Sequence, residues 1–338
     1  MSRTPRTWTV RPGTVNDSPA LRQLFTVVFG HDRGEAHHSW KFDANPAGQP
    51  VLAVAEDGGK IVGQYALWPV ELAVGSEVVL GAQSLDTMTH PDYRGQGMFT
   101  TLAKEAMIFA ADRGVEVLFG FPNAASHPGF VNKLDWDHTG DVRHHSRVLR
   151  PSAHPRVPEW AGRGADLAAR LIPSGPRGGA RVVPADPETL AALHAEHGTT
   201  EGCRVDRTSR YLTWRLAPGF GREYEWIAVG DGGRPDALAV WGRDVATDRA
   251  VLAELVGNSP HAMSVALAAV IARAADDGRR ELVAMSHRAG MSPLLRRAGF
   301  ISRSSLPLIV RKLTTRVIPG NVHRHDTWSV FGSDLDTF

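Results

Sequence analysis

The sequence is poor in cysteine, with Cys203 as its single thiol among 338 residues. One thiol excludes an internal disulfide and a cysteine-rich metal site, and it suits a reducing compartment. Long apolar runs are also lacking, since the least polar helical stretch, near residues 264–275, is far too short to span a bilayer. The N-terminus has no apolar core of a secretory signal. We therefore expect a cytoplasmic protein without a membrane span.

Charge of one sign is scarce as well. The 38 lysines and arginines nearly balance 36 aspartates and glutamates, for a net charge of +2. The arginines are scattered among acids and form no run that would follow a phosphate backbone, so a nucleic-acid partner is not expected. Histidine pairs such as His194 and His197 lack a third ligand at a metal-site spacing, and no metal is expected. With 42% hydrophobic and 22% charged residues, the length predicts two globular domains.

The first half has the patterns of a mixed α/β fold. Apolar residues at helical spacing from Leu21 to Val28 predict a helix that ends at Gly30. The turn residues 57–59 separate predicted strands 51–56 and 60–69, and a third strand covers 77–89. A helix at 99–113, a short buried strand at 115–121 and a helix at 128–134 are predicted to follow.

The most informative stretch is TMTHPDYRGQGMF, residues 87–99, a strand that runs into a glycine-rich loop and then a helix. Gly95 and Gly97 allow a ligand to approach the backbone closely, and the amides of Gln96 to Thr100 would face its oxygens. The helix that follows adds the positive end of its dipole, and Arg94 adds a charge. The loop is therefore predicted to bind a diphosphate, with a tight turn as the alternative.

A second, weaker copy of this pattern follows. AADRGVEVLFGF from Ala110 resembles AADDGRRELVAM from Ala274, and Trp136 corresponds to Phe300 at the same offset along the chain. Two earlier blocks also recur, and both recur at one shared offset that is slightly larger than the first. Trp40-Lys41 corresponds to Trp214-Arg215, and Asp57-Gly58-Gly59 corresponds to Asp231-Gly232-Gly233. We therefore predict a domain at 1–150, a linker at 151–180 with a helix near 160–171, and a second domain at 181–338.

The second copy has lost the glycine loop. The offset that relates Trp136 to Phe300 places Asn258, Ser259, Pro260 and His261 where Arg94 to Gly97 stand in the first copy. Proline has no amide hydrogen and histidine adds bulk, so this segment should not hold a diphosphate. One ligand site, in the first half, is the prediction.

The position and composition of the glycine loop argue against two families of nucleotide-binding proteins. A dinucleotide fold places its glycine loop after the first strand, and a P-loop needs Gly-Lys-Ser/Thr. The chain instead resembles the GNAT superfamily of acyl-CoA-dependent N-acyltransferases, whose signature is Arg/Gln-x-x-Gly-x-Gly/Ala. Arg94 and Gly97 match it, whereas Phe99 stands where glycine or alanine is usual. Asn123 and Lys133-Leu134-Asp135-Trp136 resemble the family's later motif, and the second half resembles a degenerate GNAT domain in tandem.

The resemblance implies an α/β (α+β) fold of two domains, each a mixed, mostly antiparallel twisted sheet flanked by helices. It implies acyl-CoA as co-substrate, with the pyrophosphate on the loop amides, pantetheine along the backbone of 87–89, and Asn123 against the pantetheine arm. Val131 stands where many members have a tyrosine acid, so either the thiolate leaves unprotonated or another residue serves. The implied acyl-CoA-binding residues are Thr87, Met88, Thr89, Arg94, Gly95, Gln96, Gly97, Met98, Phe99, Thr100 and Asn123.

Two residues are predicted as catalytic bases. Asp86 lies on the strand that leads to the loop, although an ordinary capping or ion-paired aspartate is the simpler interpretation. His197 ends the first helix of the second copy and titrates in a useful range, although a solvated surface histidine is the simpler interpretation. The C-terminal tail is a third source, with Asp334, Asp336 and the carboxylate of Phe338, because some tandem relatives use their C-terminal carboxylate in catalysis.

We therefore expect an N-acyltransferase that moves an acyl group from CoA to an amine of a small molecule or aminosugar, with the second domain shaping the acceptor site. In length and layout the chain is also similar to the N-acyltransferases of teicoplanin-type glycopeptide antibiotic biosynthesis, which implies a medium or long acyl chain and a glycopeptide acceptor. The alternatives are an acetyl-CoA-dependent aminoglycoside or polysaccharide N-acetyltransferase, and an acyl-CoA-binding sensor without turnover.

Overall fold

The computed structural model describes residues 7–154, 156–198, 202–219, 222–230, 233–244 and 247–336. Within these residues the chain forms two compact units. The first comprises the chain up to Gly140 together with Pro307–His325, and the second comprises Asp141–Leu306 and the chain from Asp326 onward. Each unit thus takes a segment from both halves of the sequence, whereas the predicted division into 1–150, 151–180 and 181–338 is linear.

The first half of the chain contains the elements that its periodicity predicts. Helix and strand bounds agree with the predictions to within a few residues, and the helices at 18–29 and 98–112 are followed by left-handed glycines, Gly30 at φ 79° and Gly114 at φ 80°. The elements are β1 (Thr9–Pro12), α1 (Ser18–Phe29), α2 (Glu35–Phe42), β2 (Val51–Asp57), β3 (Lys60–Val74), β4 (Glu77–Thr89), α3 (Met98–Asp112), β5 (Val117–Gly120), α4 (His127–Leu134) and β6 (Asp137–Val148).

The second half repeats the order of the elements. A helix, α5, lies in the region predicted as a linker, and the repeat begins after it. The elements are α5 (Glu159–Leu171), β7 (Ala180–Val183), α6 (Pro187–His197), β8 (Cys203–Val205), α7 (Ser209–Arg215), β9 (Arg222–Val229), β10 (Ala237–Asp244), β11 (Arg249–Gly257), α8 (Pro260–Asp276), β12 (Glu281–His287), α9 (Met291–Arg297), β13 (Ile301–Lys312) and β14 (Val330–Phe331). Of the repeated turn, Asp231 and Gly232 lie outside the described residues.

The sheet of the first unit runs β1-β2-β3-β4-β5-β13. Its neighbours are antiparallel except β4 and β5, which run parallel from Gly81 opposite Val117 to Ser84 opposite Gly120. Helix α3 packs on the sheet with its buried face, and the core includes Leu102, Ala106, Tyr65, Leu118 and Trp136. The predicted mixed, mostly antiparallel sheet flanked by helices is confirmed.

The sheet of the second unit runs β7-β9-β10-β11-β12-β6, and here too the fourth and fifth strands, β11 and β12, are parallel. Its last strand, β6, comes from the first half of the chain, just as β13 from the second half completes the first unit. Strand β13 begins at Ile301, directly after Phe300, as β6 begins at Asp137, directly after Trp136. The two strands at equivalent places in the sequence are therefore exchanged between the units.

Candidate active site

The glycine loop depends on backbone conformations that favour glycine. Gly95 and Gly97 have φ angles of 76° and 77°, in the left-handed region. A Cβ built on Gly95 would meet nothing within 4 Å, so conformation rather than crowding calls for glycine there. Gly97 is the N-cap of α3 and has no side chain to accept from the amides of the first turn. These amides are thereby kept for a ligand.

Two hydrogen bonds tie the loop to the sheet. The indole Nε1 of Trp8, on the chain just before β1, donates to Oε1 of Gln96 at 3.0 Å. The hydroxyl of Tyr93 donates to Oδ2 of Asp57, the last residue of β2, at 2.8 Å. The loop is therefore held in place before any ligand binds, which lowers the ordering cost of binding.

A cleft of about 680 Å³ opens beside the loop. Strands β4 and β5 stay paired only as far as Ser84 and Gly120, and β4 then continues to Thr89. Cationic residues, Arg94 and Lys133, both line the cleft. The full lining is Val28, Thr87, Thr89, Arg94, Phe99, Asn123, Ala125, Ser126, Pro128, Gly129, Asn132 and Lys133. A cleft of this size, with hydroxyl, amide and cationic side chains in its lining, has the room and the polar groups to bind a small molecule.

Strand β4 bulges at the cleft. Gln64 of β3 is opposite Met88, whereas Ala66 is opposite Leu85, so Asp86 and Thr87 together face one residue of β3. Asp86 has a φ of 46°, and its carbonyl accepts a hydrogen bond from Nε2 of Gln64 at 2.9 Å. A bulge takes backbone groups out of the ladder and turns them elsewhere. The bulge thus lies where Thr87 lines the cleft.

The carboxylate of Asp86 is occupied by two cations. Arg33 Nη2 lies 2.7 Å and Lys41 Nζ 3.2 Å from Oδ2 of Asp86, and all three side chains are almost fully buried. Burial opposes ionisation, but the charges of Lys41 and Arg33 outweigh it and hold the pKa of Asp86 below its usual value. A carboxylate that is buried, ionised and doubly paired accepts protons poorly. The geometry therefore favours the ion-paired interpretation of Asp86 over the base.

The second unit contains a matching ion pair. Nε of Arg207 lies 2.8 Å from Oε1 of Glu254, with both side chains buried. Glu254 follows the first residue of the parallel pairing in β11 by five positions, as Asp86 does in β4. The sequence carried the signal, because Asp32-Arg33 with Trp40-Lys41 recurs as Asp206-Arg207 with Trp214-Arg215. The repeat of Trp40-Lys41 was noted in the sequence, but no carboxylate partner was assigned to its cations.

The C-terminal segment fills the region around Glu254. Oδ2 of Asp334 lies 2.8 Å from Nη2 of Arg207, and the Ser333 hydroxyl donates to Glu254. Asp334 is 3% exposed. This predicted tail acid is therefore held inside the second unit, and Phe338 lies outside the described residues.

The first turn of α8 differs from that of α3 in the way the sequence predicts. Ser259 is the N-cap, and its side-chain oxygen accepts from the amide of Ala262 at 3.2 Å. Pro260 follows at the first helical position and has no amide hydrogen. Fewer free amides face outward here than at the start of α3.

His197 lies at the end of α6 in the second unit. Its side chain is 25% exposed, and Nε2 is 3.5 Å from Oε1 of Glu196. It lines a cavity of about 390 Å³ together with Arg288 and Arg297. The adjacent His194 is different, because burial lowers its pKa to about 4 even though Glu254 lies 3.1 Å away. Of the two histidines, His197 is the more exposed to solvent.

The structure brings five of the predicted acyl-CoA-binding residues together in the lining of one cleft: Thr87, Thr89, Arg94, Phe99 and Asn123. Met88 and Met98 have buried side chains, so they offer only backbone groups to a ligand. Gly95, Gln96, Gly97 and Thr100 form the loop and the first turn beside the cleft. His197 belongs to the other unit.

Sequence reasoning did not single out Ser126 and Asn132, which also line the cleft. The amides of Ala125 and Ser126 both donate to Oδ1 of Asn123 at 3.0 Å. Asn123 therefore shapes the turn that leads from β5 into α4. The signal was a run of small and polar residues between an apolar strand and a helix.

Among the described residues, no three His, Cys, Asp or Glu side chains gather as a metal ion requires. In the same part of the chain, no helix is both long enough and apolar enough to cross a membrane.

A mostly antiparallel sheet whose parallel pair opens on a glycine loop at a helix start defines the GNAT class of fold. Residues 9–139 match the family described as "Acetyltransferase (GNAT) domain". This part of the first half therefore resembles a GNAT acetyltransferase domain, and domains of that family are transferases that use acyl-CoA as co-substrate. A search of curated protein sequences finds no match.

Solved structures share the fold over most of the chain. A probable N-acyltransferase of unknown function from Enterococcus faecalis V583 aligns with a TM-score of 0.68 at 12% identity, over 91% of this chain and 73% of its own. A GCN5-related N-acetyltransferase from Anabaena variabilis aligns with a TM-score of 0.65 at 13% identity, over 91% and 73%. Eis1 from Mycobacterium abscessus aligns with a TM-score of 0.56 at 17% identity, over 90% and 74%.

Proposed function

We propose that the protein transfers an acyl group from acyl-CoA to an amine of a small-molecule or aminosugar acceptor. One observation carries the proposal: the loop with left-handed Gly95 and Gly97 lies between Arg94 and Phe99, which line the same cleft as Thr87 and Thr89 of β4. Loop amides at a helix start suit a diphosphate, and the cleft suits the arm that follows it. The GNAT family match supports acyl-CoA as the ligand.

Separate groups of residues then bind the phosphates, bind the acyl arm and shape the cleft. The amides of Gln96 to Thr100 and the charges of Arg94 and Lys133 bind phosphates. The bulged backbone at Thr87 to Thr89 binds the acyl arm and polarises the carbonyl, which stabilises the oxyanion formed when the amine attacks. Asn123 shapes the turn from β5 into α4 that lines the same cleft. We infer that Asp86, with Arg33 and Lys41, shapes the bulge rather than accepting a proton.

Two further positions, Val131 and His197, decide how protons are transferred in the proposed reaction. Val131, at the usual place of the tyrosine acid, packs against the apolar core. We propose that the thiolate leaves without protonation, because a thiol pKa near 8.5 makes it a moderate leaving group. His197 is retained as the candidate base, since an aminosugar amine is less basic than lysine and needs only a weak base.

The narrower version of the proposal is a medium or long acyl chain and a glycopeptide acceptor, in a cytoplasmic enzyme of antibiotic biosynthesis. The layout of two similar halves supports it. The second candidate is an acetyl-CoA-dependent N-acetyltransferase of an aminoglycoside or polysaccharide, favoured by the family description and by the acetyltransferase from Anabaena variabilis.

The test is thiol release from acetyl-CoA and decanoyl-CoA with a panel of amine acceptors, followed by the mass of each product. Release that depends on the acceptor is expected. CoA binding without release from any donor would make the protein a non-catalytic acyl-CoA sensor. Consumption of acetyl-CoA alone would exclude the long-chain version. Gly97→Glu should abolish CoA binding, and retained binding would move the site away from the loop.

A further inference from the structure

Helix α5 (Glu159–Leu171) presents an apolar stripe to solvent. Trp160 is 88% exposed, Leu167 is 62% exposed and Leu171 is 76% exposed. These residues are seven and four positions apart and so lie on one face of an α-helix. Ile172, immediately after the helix, is 41% exposed. Three large apolar side chains on one exposed face form a patch rather than isolated surface residues.

The opposite face of α5 is the one that packs. Gly162 and Ala169 are its buried residues, and both are small. Asp166 fixes the helix, because its carboxylate accepts from the amide of Ser152 at 2.8 Å and from the Ser152 hydroxyl at 2.7 Å. The helix is thus held on the protein by small and polar residues. Its large apolar residues are not needed for this packing.

Basic residues flank the stripe. Residues 156–177 contain four arginines against the two acids Glu159 and Asp166. The arginines Arg156, Arg163, Arg170 and Arg177 are exposed. Arg163 and Arg170 lie seven residues apart, on one flank of the apolar stripe. An exposed Trp-Leu-Leu face with arginines beside it is the composition of helices that lie in a lipid interface.

The size of the stripe also favours lipid over protein. An aromatic side chain offers roughly 150–250 Å² of surface. With two leucines the stripe reaches about half of the ~800 Å² per partner that a stable protein interface buries. A second copy of the chain would therefore be held weakly by this face. A lipid surface needs only that the stripe enter the headgroup and acyl boundary, with cations outside it.

We propose that α5 is an interfacial helix that docks the protein on an anionic lipid surface. Trp160, Leu167 and Leu171 enter the bilayer interface, and Arg163 and Arg170 contact the anionic headgroups. Docking of this kind does not require a membrane-spanning segment. It does not depend on acyl transfer or on acyl-CoA binding, so it stands or falls independently of the proposed function.

The experiment is co-sedimentation of the full-length protein with phosphatidylcholine vesicles that contain about 30% phosphatidylglycerol. Trp160→Ser with Leu167→Ser should weaken binding by at least about tenfold, because these side chains supply most of the inserted area. Arg163→Gln and Arg170→Gln should each weaken it by about fivefold. Val317→Ser is the matched control, because Val317 is 87% exposed and lies in the other unit.

Far-UV circular dichroism and thermal unfolding show whether each variant remains folded, which is expected because the substituted side chains are exposed. The proposal is overturned if the wild type does not bind these vesicles, or if the double variant binds as the Val317→Ser control does. Equal binding to pure phosphatidylcholine overturns the role of the arginines. Self-association that the double variant abolishes, without vesicle binding, assigns the face to a second copy of the chain.

Discussion

The glycine loop can be tested by comparing two substitutions on the two ends of α3. Gly95 precedes the helix and Gly114 follows it, with φ angles of 76° and 80°. A Cβ at either position would meet nothing within 4 Å. Glutamate at each site therefore introduces the same charge and the same backbone strain, of about 1–2 kcal/mol for an L-residue in the left-handed region. Only Gly95 adjoins the predicted diphosphate.

The two variants should lose similar stability but differ in CoA affinity. A carboxylate about 5 Å from one phosphate charge costs about 1–3 kcal/mol for effective dielectric constants between those of water and a protein surface. That range corresponds to a roughly 5- to 150-fold higher Kd for Gly95→Glu. Gly114→Glu should bind CoA as the wild type does.

Isothermal titration calorimetry with CoA measures the difference, and thermal unfolding shows that the two variants are equally destabilised. Repeating the titration at higher salt should shrink the penalty of Gly95→Glu, because screening weakens repulsion between exposed charges. Equal Kd values for the two variants would refute the assignment of the diphosphate to this loop.

Three other predictions address the remaining parts of the site. Asp86→Asn should lower the free energy of unfolding by about 3–5 kcal/mol, because the buried cations Arg33 and Lys41 lose the carboxylate charge that they share. The pKa of Asp86 is lowered in the fold, so its contribution is present above the ordinary carboxyl pKa near 4 and is lost as the pH falls through the folded value. Urea unfolding across pH 3–6 checks both statements, with Asp92→Asn, at an exposed aspartate, as the control. Equal losses of unfolding free energy in the two variants would contradict them. Asn123→Ala should lower the free energy of unfolding by about 1–2 kcal/mol and raise the KM for acyl-CoA, because the amides of Ala125 and Ser126 lose their acceptor. Asn123→Asp keeps an acceptor oxygen and should recover the stability. If it does not, the turn does not need that oxygen. His197→Gln should lower kcat and leave CoA binding unchanged, and an unaltered kcat would rule His197 out as the base.

Local patterns predicted much of the first unit. Helical spacing, turn residues and terminal glycines gave the elements from α1 to α4, because these features act within a few residues. Helix α2 and strand β1 went unpredicted, since short elements carry weak periodicity and are decided by packing. The cleft residues Ser126 and Asn132 were missed for a similar reason, because position relative to a ligand is a property of the folded chain.

The sequence by itself determined the glycine loop, because left-handed φ angles at Gly95 and Gly97 are a local demand that glycine meets at little cost. It also determined that this loop is lost in the second half, because Ser259 and Pro260 cannot replace its glycines. Only the tertiary structure decided that β6, from the first half of the chain, completes the sheet of the second unit, and that β13, from the second half, completes the sheet of the first. Strand pairing of this kind joins residues far apart in sequence. It likewise decided the surroundings of Asp86, whose proton affinity depends on Arg33 and Lys41 rather than on its neighbours in β4.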